Sequence, residues 1–265
     1  MTICIVVSCQ VYRSLFIRPS GTGIPDGLFT FTRIIGALAM TIDSMKVWES
    51  RQKGIFASIH KIKTKSLNSK TGDMTGLYIL PIDMSPTDSI KYKQNDKQCG
   101  DCPLKPQCYV NPVTVNSPWR SKVNEIVSWF KGDFVKPIRL GVYGDPGLVP
   151  LPILQRLVKK APKHTGYTHQ WLNVNSDYSE ILMASIDNLL ADKMGITPIE
   201  LKRKANKLGY RTFRVINEGQ PIDTDEMPCP NYTHGTQCVD CGLCDGNKKS
   251  KFKPSQKKNI YIMIH

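Results

Sequence analysis

Between residues 75 and 216 the hydrophobic pattern switches repeatedly between short apolar runs and helical spacing. The runs TGLYILPIDM (75–84), KPIRLGVYGDPG (136–147), GYTHQWLNV (166–174), EILMASID (180–187) and YRTFRVI (210–216) read as strands. Val123, Ile126, Val127 and Phe130 in segment 119–133 recur at the spacing of one helix face, as do Ile153, Leu154, Leu157 and Val158 in 152–161. A third helix is predicted over 197–209, with Pro198 in its first turn and Gly209 at its end. Strand and helix in alternation argue for βα units and a parallel sheet. The continuous apolar character of ILMASI suits a strand buried on both faces. The repeats fall short of eight. The expected fold is therefore α/β: an irregular or incomplete (β/α) barrel, with an open α/β sheet as the alternative.

Around that core the pattern weakens. Residues 1–44 lack periodicity and open on MTICIVVSCQVY, a short apolar stretch without a basic lead. It makes a poor signal peptide, and 1–44 is expected to be a peripheral leader or an over-extended start. Residues 45–220 form the expected catalytic domain, with a cysteine-bearing insertion at 91–112. Residues 221–265 form a polar, cysteine- and lysine-rich C-terminal element. No apolar run reaches the roughly 18–20 residues that cross a bilayer, so no membrane partner and a cytoplasmic location are expected.

The chain of 265 residues has 40% apolar residues, enough for a sizeable core, and a formal net charge of +14. Such a basic balance favours a polyanionic partner, DNA foremost, although a solvated lysine-rich surface has the same composition. The run 248–258 carries six lysines and no acid. Lys248, Lys249, Lys251 and Lys253 are its candidate phosphate contacts, with Lys202, Arg203, Lys204 and Lys207 as an extension. A solvated loop is the plain alternative.

Seven of the nine cysteines fall into two tight groups, a poor disulfide framework and a good metal-binding one. Cys229, Cys238, Cys241 and Cys244 offer four thiolates, as a structural zinc or an iron–sulfur cluster requires. Cys99, Cys102 and Cys108 offer three. That set suits a cluster with an open position, or zinc completed by a histidine or a distant cysteine.

Asp145 and Asp187 each end a predicted strand, as does Asp83. In (β/α) barrels that edge carries catalysis. Aspartate there also caps helices and turns. Tyr143 and Gly144 lead into the Asp145 turn and are candidate substrate contacts. His169, Gln170 and Trp171 follow another strand and could hydrogen-bond and stack on a base; Trp171 could equally be core.

YGDPGLVP, GYTHQW, MASID, GYRTFRV and CVDCGLCDG together resemble a group of small phage-encoded proteins. That group looks like a compact branch of the tRNA-guanine transglycosylase relatives that insert 7-deazaguanine into DNA. The likeness covers roughly residues 60–265. It implies base exchange: a guanine flips out, a carboxylate attacks the sugar, guanine leaves and the deazaguanine base displaces the carboxylate. Asp145 and Asp187 would be nucleophile and base reader, in either order. The family's structural zinc matches the C-terminal cysteines in type but not in spacing. Three cysteines after one strand, a glycine–acid–proline turn after the next, and ASID also resemble a radical S-adenosylmethionine enzyme. Its usual spacing is three residues then two, where this chain has two then five. A zinc-stabilised DNA-binding protein without catalysis is a third expectation.

Overall fold

The computed structural model describes residues 43–108, 110–121, 132–247 and 258–263. The leader up to residue 42, the centre of the helix expected over 119–133, and Lys248, Lys249, Lys251 and Lys253 lie outside the described residues.

The chain enters through an antiparallel hairpin, β1 (Ser44–Ser50) and β2 (Ile55–His60), and β2 pairs antiparallel with β3 (Thr75–Pro81). From β3 the sheet is parallel and sequential: β4 (Ile138–Tyr143), β5 (His164–Thr168), β6 (Met183–Ile186) and β7 (Thr212–Ile216). Then β9 (Asn259–Met263) lies beside β7, and β8 (Glu226–Pro228) flanks β9, both parallel. The nine-stranded order is β1-β2-β3-β4-β5-β6-β7-β9-β8. It ends on β1 and β8, so the sheet is not a closed barrel; the fold is mixed α/β with a mostly parallel sheet. Closure would need hydrogen bonds between the terminal strands, and these are a hairpin strand and a three-residue strand.

Among the described residues the helices are α1 (Pro86–Lys91), α2 (Asp96–Cys99), α3 (Pro112–Arg120), α4 (Leu151–Lys159), α5 (Asn188–Met194), α6 (Pro198–Lys207), α7 (Pro230–His234) and α8 (Cys238–Cys241). α4 presents Leu154, Leu157 and Val158 to Leu77, Ile79, Ile138 and Leu140. Each such side chain contributes about 1.5–3 kcal/mol on burial. α6 starts in a capping box between Thr197 and Glu200 and packs Leu201 and Ala205 on Ala184 and Ile186. Among the described residues no helix is long and apolar enough to cross a membrane.

The opposite sheet face carries Met183, Phe213, Val215, Ile260 and Ile262, covered by Cys229, Cys244 and Leu243. The C-terminal segment is thus part of the sheet and of its cover. Arg214 fixes it: its guanidinium forks onto Glu226 with two 2.7 Å bonds, both side chains buried. Lys202, expected in a basic surface patch, is only 1% exposed and pairs with Asp223 and Asp225. Its turn of α6 faces the 223–225 loop, where two carboxylates neutralise a charge that would otherwise be too costly to bury.

Candidate active site and metal centres

The carboxyl ends of β3 to β6 converge on one site. Asp145 follows β4 and is buried. Its Oδ1 accepts from Gly147 N (2.8 Å) and Thr168 Oγ1 (2.7 Å), and its Oδ2 from His169 N (2.7 Å). This carboxylate therefore joins the turn after β4 to the turn after β5. Burial pushes its pKa up, against the pull of His169 and these bonds. The turn needs its glycine: Gly144 has φ +75°, and a Cβ there would stand 2.6 Å from the Ile79 carbonyl oxygen. The Asp145 amide also donates to the Gln98 carbonyl at 2.8 Å, so the turn leans on the residue preceding Cys99.

Asp187 caps α5, its Oδ1 accepting from Leu190 N at 2.9 Å. Its Oδ2 accepts no hydrogen bond and lies 3.4 Å from His169 Nε2, an ion-pair contact without hydrogen-bond alignment. His169 Nδ1 is 4.0 Å from Asp145 Oδ2. Burial disfavours the imidazolium, but Asp187, Cys102 and Asp145 outweigh it and raise the His169 pKa to about 10. His169 thus lies between two carboxylates that favour its charged form.

Cys99 closes α2, and Gly100, at φ +54°, turns the chain toward Cys102. A Cβ on Gly100 would stand 2.5 Å from Gln170 Nε2, so this loop rests on the Gln170 amide. Cys108 is exposed, after a turn of 3-10 helix. Burial raises the Cys99 thiol strongly, and Cys102, Cys108 and Asp145 push it further. The three cysteines, His169 and Asp145 thus sense one another electrostatically.

The expected base-reading residues divide. Gln170 is buried at the site with its Nε2 unpartnered. Trp171 is core: it is 1% exposed, packs with Ala184, Leu201 and Tyr210, and donates Nε1 to the Ser185 carbonyl at 3.2 Å. Tyr143 is buried, and its hydroxyl accepts from Gln98 Nε2 at 3.2 Å. Asp83 is exposed beyond β3. Gln98 escaped the sequence reading. It is fully buried, donates to Ser89 Oγ at 2.8 Å and keeps Oε1 unpartnered; only its place beside Cys99 hinted at it.

The second cysteine group lies under the sheet. Cys229 precedes α7, Cys238 and Cys241 bound α8, and Cys244 follows the left-handed Gly242. All four line one cavity with Thr165, Tyr167, Phe213, Ile260 and Lys70. Cys244 is pushed up to about 12, by burial first and then by the other three cysteines, while a Tyr167 hydrogen bond opposes the rise. Cations ring the thiols: Arg139 and Lys70 act on Cys238, Lys163 acts on Cys241, and Arg211 interacts with Cys244. All seven cysteines of the two groups are free thiols. Among the described residues, no three His, Cys, Asp or Glu side chains are drawn together as a formed metal-ligand set.

No protein-family model matches the chain, and no curated protein or solved structure matches it either.

Proposed function

We propose that this chain is an enzyme centred on its three-cysteine loop, with Cys99, Cys102 and Cys108 holding an iron–sulfur cluster of the radical S-adenosylmethionine type. One observation carries this reading: the loop meets His169, Gln170 and the Gly144–Asp145 turn at the carboxyl edge of parallel strands, where α/β enzymes keep their chemistry. The donor set fits. Burial and mutual repulsion hold the Cys99 thiol protonated, and a shared cation would stabilise the thiolates. When bound, such a cluster supplies a low-potential electron and an open coordination position. The chain's own residues do the rest. Asp145 locks the two turns in register. The His169 imidazolium, held by Asp187, offers an N–H to an anionic group. Gln98 Oε1 and Gln170 Nε2, buried without partners, orient a polar ligand, and buried Tyr143, bonded to Gln98, excludes water there. Reduced, iron-loaded protein with S-adenosylmethionine should release 5′-deoxyadenosine, and Cys99→Ala should release none. Iron-loaded protein that yields no 5′-deoxyadenosine would sink this reading.

A specific observation favours a second reading, base exchange in DNA with a deazaguanine base. It requires a carboxylate oxygen not committed to backbone or hydroxyl donors, and Asp187 Oδ2 accepts no hydrogen bond, facing only His169 Nε2 at 3.4 Å. Asp187 would then be the nucleophile, and Asp145, with both oxygens engaged, would hold the turns. Deazaguanine in the DNA of expressing cells, lost with Asp187→Asn, supports this reading; unmodified DNA removes it.

Under either reading we assign the four-cysteine group a structural zinc. The ring of cations around it suits the dianion that four thiolates form with Zn²⁺.

A further inference from the structure

The loop between β2 and β3 runs from residue 61 to 74, fourteen residues joining two antiparallel neighbours. Hairpin connections usually take about 2–5 residues, and long loops without secondary structure are usually functional or disordered. This loop is pinned along its length. At its start Asp43 accepts from Lys63 N, Thr64 N and Thr64 Oγ1. In the middle Lys136 Nζ donates to the Thr64 carbonyl (2.7 Å) and to Asp73 (2.8 Å). At its end the cysteine-rich segment grips it. Cys238 N donates to Lys70 O, Val239 N to Thr71 O, and Gln237 Nε2 to Ser69 O. Gly72 sits so close that a Cβ there would stand 2.6 Å from Val239.

The sequence of this pinned loop sorts its side chains. Ile62, Thr71 and Met74 are buried, while Lys61, Lys63, Lys65 and Lys70 are exposed. The one acid within the loop, Asp73, pairs with Lys136. Lys163, also exposed, stands at the same edge, its Nζ on the Asp240 carbonyl at 3.1 Å. The acids there are Asp43, which accepts from the loop backbone and also attracts Lys61, Asp73, which attracts Lys65 as well as Lys136, and the exposed Asp240.

We propose that the 61–74 loop is a nucleic-acid docking surface. Lys61, Lys63, Lys65 and Lys70 would contact the phosphates of a duplex, and the four-cysteine segment serves as its anchor. Order in so long a loop has a use if four cations must keep a fixed arrangement. The chain's charge of +14 supplies the long-range attraction. A membrane surface is the less favoured partner. Leu67 is the one strongly exposed apolar side chain of the loop, and stable membrane anchoring takes a larger apolar contribution.

The test uses the full chain with a fluorescent 20-base-pair duplex, titrated across a salt series. The variant Lys61→Gln/Lys63→Gln/Lys65→Gln/Lys70→Gln should bind at least about tenfold more weakly. Its log–log salt slope should shrink by about 3–4, the counterions of four phosphate contacts. Neutralising four exposed lysines elsewhere, Lys91, Lys93, Lys159 and Lys193, should leave the slope nearly unchanged. An unchanged slope in the loop variant, or equal losses in both variants, overturns the proposal. So does binding to phosphatidylserine vesicles in preference to the duplex. These readouts need no catalysis, so they stand or fall apart from the enzyme reading.

Discussion

The backbone amide of His169 donates to Asp145 Oδ2 at 2.7 Å, so the turns after two neighbouring parallel strands share one buried carboxylate. Thr168 Oγ1 and Gly147 N complete its partners on Oδ1. An asparagine in its place keeps one acceptor oxygen and turns an NH₂ toward donors. Asp145→Asn should therefore lower the unfolding free energy by about 2 kcal/mol, part of the hydrogen-bond loss being offset by removing a buried charge. Urea unfolding measures this. An unchanged midpoint would mean that the carboxylate is not a latch.

His60 predicts an acid-sensitive fold. Its ring lies on β2, in contact with Ser58 Oγ at 2.9 Å and edge-on to Tyr78. Burial lowers its pKa from 6.5 to about 4, against the pull of Asp43. The unfolded chain therefore binds a proton that the folded chain refuses. Stability should fall as pH drops below about 6.5 and level off below about 4, with a total loss of roughly 3 kcal/mol from this group. His60→Gln should remove that part of the difference between unfolding at pH 7 and pH 4. Equal pH dependence in the variant and the parent would contradict it.

Zinc in the four-cysteine cavity makes a separate claim. Purified protein should carry about one zinc per chain, and Cys238→Ser or a strong chelator should remove it. Because Cys229 and Cys244 pack against Ile260 and Met183, metal loss should loosen β9 and speed amide exchange there. Metal-free protein with undiminished stability would show that these thiols only pack.

Much of the sheet was legible in the pattern. β3 to β7, α4 and α6 have buried runs or one-sided apolar spacing that local sequence displays. The β1–β2 hairpin was missed because MKVWESRQKG mixes charges with apolar residues, as an edge strand does. β9 is five residues long, and its place between β7 and β8 depends on pairings distant in sequence. At the site, Asp145, Asp187 and His169 stood out as residues at strand ends, and the fold sets His169 within 4.0 Å of Asp145 and 3.4 Å of Asp187. Their individual tasks were not readable. Whether an aspartate caps, latches or stays available depends on which N–H groups the fold brings to it. Trp171 shows the same limit, since an aromatic beside His169 served equally as platform or core.

The central claim is that Cys99, Cys102 and Cys108 hold an iron–sulfur cluster, and the most direct measurement is the absorption spectrum and iron content of protein purified without oxygen. The account predicts a brown protein with a broad band near 400 nm and about four irons per chain, as a [4Fe–4S] cluster contains. Cys99→Ala/Cys102→Ala/Cys108→Ala should lose both while keeping the zinc of the C-terminal cysteines. A colourless protein, with no bound iron after anaerobic reconstitution, would contradict the claim and leave base exchange at Asp187 as the reading to pursue.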